Sequence, residues 1–408
     1  MKIAIFIIAL LLVAPAYSQT TPTTPPPDTV SSSRGSIRIE RLATLELPWG
    51  MALLPDGRLL ITEKPGRLRI WADGKLSEPV QGVPKVVYRG TQSDQGGLLD
   101  VEIDPEFARN NFVYISYVEA AEPQPADARD TDDPRFGGYL DMSDTIVRGG
   151  VVARGRLDGN QLRDVQVIWR QEPKTVGRGH FGNRIVFAPD GKLFITSGER
   201  MRFDPAQSLN SNLGKIVRIN KDGTVPTDNP FAGKADARAD IWSYGHRNIL
   251  SAAIDPSSGR LWVLEMGPLG GDELNMIEPG KNYGWPNVSN GDNYNGSPIP
   301  DHPTKKEFQS PVRSWSPVIS PSGALFYTGS LFPAWRGNLL AGGLSSMALV
   351  RLSLNGQQVS VEERIDMKRR IRDLIETPDG AILVIVDDKS GDLLRLTPAA
   401  SRSVSTNQ

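Results

Sequence analysis

A short phrase recurs along this chain: a proline-led turn closing on glycine, followed at once by a β-branched and aromatic run. Leu54-Pro55-Asp56-Gly57 precedes RLLITE, Ala188-Pro189-Asp190-Gly191 precedes KLFITS, and Asp255-Pro256 through Gly259 precedes RLWVLE. Ser320-Pro321-Ser322-Gly323 precedes ALFYTG, Thr377-Pro378-Asp379-Gly380 precedes AILVIV, and a variant, Asp104-Pro105-Glu106-Phe107, precedes NNFVYISY. Proline at the second turn position and glycine at the fourth is the chemistry of a type I turn. The run after it is suited to a half-buried or buried strand. Most units continue into a further strand, such as GRLRIWA (66–72), GKIVRIN (214–220), MALVRLSL (347–354) and GDLLRLTP (391–398). Six strand-rich units of roughly 60 residues each predict an all-β fold, a six-bladed β-propeller of four-stranded antiparallel blades. A multi-sheet sandwich is the competing arrangement, and a β-helix would need a much shorter repeat. The 40 glycines and 32 prolines are the turn residues such a fold consumes.

The remaining segments bound the folded unit. Residues 1–18 read as a signal peptide: Lys2, an apolar run Ile3–Val13, then Ala16 and Ser18 at −3 and −1 of a small-x-small cleavage site, leaving Gln19 as the new N-terminus. That run is too short to cross ~30 Å of hydrocarbon, and no later run is longer, so no membrane span is expected. Residues 19–35 (Thr/Pro/Ser-rich) predict a disordered spacer, 36–398 the propeller, and 399–408 a flexible tail. A polar insertion over about 119–150 predicts a long loop on one face. The expected location is periplasmic or secreted.

No cysteine is present, which removes disulfides, thiolate nucleophiles, iron–sulfur clusters and Cys-ligated zinc. With three histidines, any metal is better held by oxygen, which favours calcium or magnesium. A net charge of −1 gives no reason to expect a nucleic-acid partner.

Residues beside glycine-rich turns, off the alternating strand pattern, are the candidates for chemistry. His180 sits in GRGHFGN (177–183), where flanking glycines let the backbone bring an imidazole close to a ligand. Its ordinary pKa suits a general base, with a carbonyl-capping turn histidine as the alternative. Gln95 ends a loop entering a strand, and Arg247 and Asn248 follow the strand DIWS in YGHRN. The loop EMGPLGGDELN (265–275), with KNYGWP (281–286) after it, mixes carboxylates and free carbonyls as hard-cation sites do. A plain glycine-rich turn is the alternative there. Arg370 and Arg372 at i and i+2 share one face of a strand and suit a polycarboxylate. No G-x-G-x-x-G stands between a strand and a helix, so no dinucleotide site is seen.

Taken in order, QGGLLDVEIDPEF (95–107), GHFGNRIVFAPDGKLFIT (179–196), YGHRN (244–248), GPLGGDELN (267–275), KNYGWPNV (281–288), PSGALFYTG (321–329) and RIRDLIETPDG (370–380) resemble the glucose/sorbosone dehydrogenase family over about residues 40–397. The resemblance implies an exported propeller that uses pyrroloquinoline quinone (PQQ) and calcium to oxidise aldoses at C1 to lactones. An external electron acceptor takes the reducing equivalents, and the expected state is a monomer or homodimer. It implies His180 as catalytic base, and Gln95, Arg247, Asn248, Tyr294, Arg370 and Arg372 as cofactor contacts. Carbonyls of Gly267 and Pro268 would hold the active-site calcium, and Glu273 and Tyr283 a second one. One position departs from some members: Leu344 is followed by Ser345 where they carry a lysine, which predicts weaker PQQ binding. A calcium-dependent lactonase or other hydrolase, or a binding propeller without cofactor, are the competing functions. The paired arginines favour the dehydrogenase.

Overall fold

A computed structural model describes residues 28–90, 94–129 and 144–399. The signal peptide, the tail after Ala399 and the middle of the insertion lie outside the described residues. Among the described residues the main strands form six antiparallel sheets, so the chain is a six-bladed β-propeller. Blade one runs Pro48–Leu53, Leu59–Glu63, Arg67–Ala72 and Lys75–Leu76. Blade two is Leu98–Ile103, Phe112–Ala120, Arg148–Asp158 and Gln161–Arg170; blade three is Gly182–Phe187, Leu193–Ser197, Lys215–Ile219 and Ile241–Tyr244. Blade four is Ile249–Ile254, Leu261–Glu265, Asp272–Met276 and Arg313–Trp315, and blade five is Pro321–Phe326, Leu339–Gly343, Ala348–Asn355 and Gln358–Asp366. Blade six joins Ile371–Glu376, Ile382–Val386 and Gly391–Pro398 to Gly35–Leu45 from the other end of the chain. That pairing, Ile37 opposite Pro398 through Leu45 opposite Gly391, closes the ring and leaves no open edge between first and last blades.

The core is a ring of layers between blades. Leu60 and Leu68 of blade one pack with Val101 and Ile115 of blade two, while Leu59 and Ile61 pack with Leu383 and Ile385 of blade six. Alternate residues of one strand therefore serve two neighbours, so the strand LLITE is buried on both faces and its first three residues are all apolar. The same holds at the other interfaces, for example Phe194 and Ile216 against Ile249 and Val263.

Three sequence expectations need correction. The turn phrase joins the first and second strands in blades one, two, three, four and six, but not in blade five. There Pro321–Phe326 is already the first strand, and the turn falls near Thr328, with Pro333–Trp335 as a short 3-10 segment. Blade five has Thr328 two residues past its first strand, where the other blades carry proline, so a false match one strand earlier was read as the repeat. The spacer also ends sooner than expected. Asp28–Ser32 pairs with Gly35–Leu45 as a fifth strand of blade six, because the polar TVSS phrase alternates along an edge where only backbone bonds are required. The insertion begins later and ends earlier than 119–150, since strands claim Glu119–Ala120 and Arg148–Gly150.

First strands of neighbouring blades contact one another all the way round and line the axis. There Arg184 Nη1 lies 2.9 Å from Asp100 Oδ1 and 3.2 Å from Asp373 Oδ1, all three buried. Gly50 and Gly323 leave room for these carboxylates, because a Cβ at Gly323 would stand 1.9 Å from Asp373 Oδ1.

Candidate active site

Each blade enters its first strand and leaves its second at one face, and the hydrogen bonding there repeats. In five blades the residue after the second strand donates its N–H to the residue just before the first, Lys64 to Leu47, Gly198 to Phe181, Met266 to Asn248, Leu344 to Ser320 and Asp387 to Arg370; in blade two, whose second strand runs on to Ala120, Val118 within it donates to Gly97. A bulge follows in every first strand, for example between Gly182 and Ile185 and between Ile371 and Asp373. Bulges re-aim side chains without breaking the sheet. Most of the site residues expected from sequence fall at these entries and exits, which is why one face collects them; Glu273 lies in the third strand of blade four, and Tyr283 and Tyr294 lie beyond it.

His180 is 4% exposed and has φ +53°, a left-handed conformation uncommon for a side-chain-bearing residue. Its backbone N–H donates to Gln95 Oε1 at 2.9 Å. Its Nδ1 lies 2.5 Å from Glu199 Oε1. Glu199 Oε2 accepts from the backbone N–H groups of Arg202 (2.5 Å) and Phe203 (2.8 Å). A buried carboxylate on Nδ1 fixes the proton there and leaves Nε2 as the basic atom. Burial, joined by the Arg247 charge, lowers the His180 pKa against the opposing pull of Glu199. Burial acts to raise Glu199, but the hydrogen bond and charge of His180, with Arg247, hold it below its ordinary value. The result near neutral pH is a neutral imidazole oriented by an ionised carboxylate. Gly198 permits this approach: a Cβ there would meet the His180 carbonyl at 2.1 Å.

Arg247 is buried beside this pair and its carbonyl accepts from Glu199 N at 2.9 Å. Its Nη1 donates to the carbonyls of Met266 (2.9 Å) and Gly267 (2.8 Å), and its Nη2 to Tyr294 Oη at 3.1 Å. The guanidinium lies over the Trp285 ring, 5.2 Å from its centroid. Asn248 is fully buried, yet its Oδ1 has no partner among the described residues. Across the face, Arg370 and Arg372 share one carboxylate. Arg370 reaches Asp387 Oδ2 at 2.7 Å and Arg372 reaches Oδ1 at 2.6 Å. Burial notwithstanding, the two arginines hold the Asp387 pKa at about 2. The two cations therefore face the site as a preformed wall with one net positive charge.

Behind Gly267, Glu265 and Glu273 line a small space of about 10 Å³ together with Tyr283, on the order of one water or one ion. Glu273 Oε1 meets His302 Nε2 at 2.9 Å and its Oε2 accepts from Asn275 Nδ2 at 3.0 Å. Asn275 Oδ1 is buried without a hydrogen-bond partner among the described residues. Tyr283 Oη donates to the Met276 carbonyl (2.8 Å) and accepts from Glu278 N (2.9 Å), so its phenol is taken and its backbone carbonyl is the ligating atom available. Gly267 N donates to Asp272 Oδ1 at 2.9 Å, and Asp272 Oδ2 takes two further backbone N–H groups from Ile319 and Ser320. Burial still raises Asp272 to about 6.

The structure thus joins His180 to Gln95 directly, and to Arg247, Tyr294 and Gly267 through Glu199. Arg370 and Arg372 stand on the opposite side, linked through Arg184 Nη2, which donates to the Arg372 carbonyl at 3.2 Å. Glu199 and Asp387 escaped the sequence reading, and Glu265 entered it only as one acid of the 265–275 loop. Each is an acid at the end of a second strand (TSGE, VLE, IVD), and superposing the repeats would have exposed them. Each of the three histidines is in fact paired with a buried glutamate, His246 with Glu265 at 3.0 Å completing the set.

This fold and this site define a dehydrogenase class: residues 45–395 match the family described as Glucose / Sorbosone dehydrogenase, and the chain belongs to that family. Among its relatives is the aldose sugar dehydrogenase YliI of Escherichia coli, 40% identical over 364 residues, covering 87% of this chain and 91% of that one. The quinoprotein glucose dehydrogenase B of Acinetobacter calcoaceticus is 26% identical, covering 96% and 93% of the two chains. A PQQ-bound aldose sugar dehydrogenase structure from Streptomyces coelicolor superposes with TM-score 0.69 at 25% identity, covering 88% and 98%.

Proposed function

We propose that this sugar dehydrogenase is an exported quinoprotein that oxidises the C1 hydroxyl of aldoses to lactones, with His180 as base. The observation that carries this reading is the buried His180–Glu199 pair opposite a cationic wall. The residues present fit the cofactor. An ortho-quinone tricarboxylate needs cations at its edges, and Arg247, Arg370 and Arg372 supply them. The unpartnered Asn248 Oδ1 and the Gln95 side chain lie at the same strand entries. The Gly267–Pro268 exit offers carbonyls to calcium, and the ion-sized space between Glu273 and Tyr283 suits a second calcium. Bound together, PQQ and calcium supply a polarised quinone that accepts hydride from the sugar C1.

The protein's own part is proton transfer and placement. His180 Nε2 takes the hydroxyl proton, and Glu199 stabilises the imidazolium that forms. Two backbone N–H groups and Arg247 keep Glu199 ionised throughout. Tyr294, exposed at the rim and bonded to Arg247, is placed to meet the sugar or the cofactor edge. An external acceptor then reoxidises the cofactor.

The test is reconstitution. Protein given PQQ and calcium is expected to reduce a dye with at least one of a panel of aldoses. No reduction with any sugar, joined to no absorbance change on adding PQQ, overturns the reading. Export is tested by N-terminal sequencing of secreted protein, with Gln19 expected first.

A further inference from the structure

The six-fold repeat of strand exits points to a cation that no motif marked. Lys64 occupies the exit of blade one, the position that Asp387 holds in blade six and Met266 in blade four. Its side chain is 8% exposed. Its Nζ donates to the Asp94 carbonyl at 2.5 Å and lies 4.8 Å above the Tyr88 ring. Asp94 directly precedes Gln95, which accepts from His180. Among the described residues that carbonyl is the one hydrogen-bond acceptor Nζ has, so two of its three N–H donors are uncommitted. The charges acting on it are Arg372 and Asp387 from blade six and Asp94 from the blade-two entry; burial, joined by Asp94, Glu46 and Asp387, pushes Tyr88 up to about 12. Lys64 stands in the blade next to Arg370 and Arg372, which share Asp387: its backbone N–H donates to the Leu47 carbonyl, and the Leu47 N–H donates to the carbonyl of Asp388. A buried ammonium with spare donors, one blade from two arginines that share a single carboxylate, suits an incoming anion.

We propose that Lys64 is a third cation of this wall and binds a carboxylate of the cofactor together with Arg370 and Arg372. The proposal rests on the quinoprotein reading. It also answers the absence of a basic residue at Ser345: the charge enters from blade one instead, next to the same arginines.

Burial, reinforced by Arg372, lowers Lys64 to about 8 despite Asp94 and Asp387. A bound carboxylate favours the charged ammonium. Affinity for PQQ is then full below about pH 8 and falls as the pH rises past it, and binding at pH 8.5 draws protons from solution. The experiment is titration of the calcium-loaded protein with PQQ, followed by absorbance and by calorimetry in two buffers of different ionisation enthalpy. Lys64→Met is expected to bind roughly 10- to 100-fold more weakly and to lose the proton uptake. Lys64→Arg, permanently charged, is expected to keep most of the affinity while also losing the uptake. If Lys64→Met binds within twofold of the parent, or Lys64→Arg retains the uptake, the proposal is wrong while the function stands. If Lys64→Met does not fold, the Lys64→Arg result decides. Failure of the unaltered protein to bind PQQ removes both the function and the proposal.

Discussion

At the scale of single residues, His180 was legible because glycines surround it, and Glu199 was not because an acid at a strand end looks like the start of a loop. The consequence is chemical. Glu199 raises the His180 pKa while burial and Arg247 lower it, and the net shift is downward. Activity therefore holds below the ordinary histidine value and falls only on further acidification, since the base must be neutral to accept a proton. Glu199→Gln removes the one anion opposing that shift, so the acid limb of kcat/KM is expected to move to still lower pH. Turnover at neutral pH is expected to drop roughly 10²- to 10⁴-fold, because the ring loses its orienting partner. An acid limb that moves upward contradicts this assignment. A pH–rate profile of the variant is the measurement. Ser345, by contrast, does little visible work: it is exposed and its hydroxyl reaches the Val318 carbonyl at 3.3 Å.

At the scale of elements, the strands were legible from their apolar runs, and the turns from proline and glycine. The phase of blade five was not, because its first strand itself begins with a Pro-Ser-Gly phrase that mimics the turn. The acidic exits were hidden for a related reason: their meaning appears only when six strand ends are superposed in space. The glycine-rich exit of blade four is the element whose rigidity depends on charge. Glu265 and Glu273 face one small space, with Asn275 Nδ2 bridging them at 3.2 and 3.0 Å. A cation held there would offset two buried carboxylates. Chelator is expected to lower the melting temperature of the protein by several degrees, and Glu273→Gln is expected to abolish most of that chelator-dependent difference. Equal chelator shifts in both proteins place the calcium elsewhere. The Gly198→Ala change tests the same geometry at blade three. Its Cβ would stand 2.1 Å from the His180 carbonyl, so the loop must shift; turnover is expected to fall at least about 10-fold and the melting temperature to drop with it.

For the whole molecule, the ring is closed twice: by the first and last strands of the chain in blade six, and by the axial ion group. Arg184 balances Asp100 and Asp373, and also donates to the Leu250 carbonyl of blade four at 2.8 Å. Burial holds Asp373 at about 6 even so, with Arg184 opposing. Because that pKa is raised on folding, Asp373 adds most to stability when protonated and costs most above pH 6. Arg184→Met, which leaves two buried carboxylates unpaired, is expected to cost about 3–5 kcal/mol in urea unfolding at pH 7.5. The cost shrinks as the pH is lowered through 6. A cost that does not change with pH shows that these carboxylates do not carry the axial charge. This triad was invisible in sequence because its members are far apart in the chain and meet only when the blades close into a ring. The site on the face above depends on that closure, since blades two, three, four and six each supply part of it. Its chemistry is tested most directly by one anaerobic experiment on protein reconstituted with PQQ and calcium. Mixing with an aldose substrate is expected to convert the bound quinone's absorbance to that of its reduced form within one turnover. His180→Ala is expected to bind the cofactor equally and leave the oxidised spectrum unchanged over the same interval; a variant reduced as fast as the parent would contradict His180 as the base.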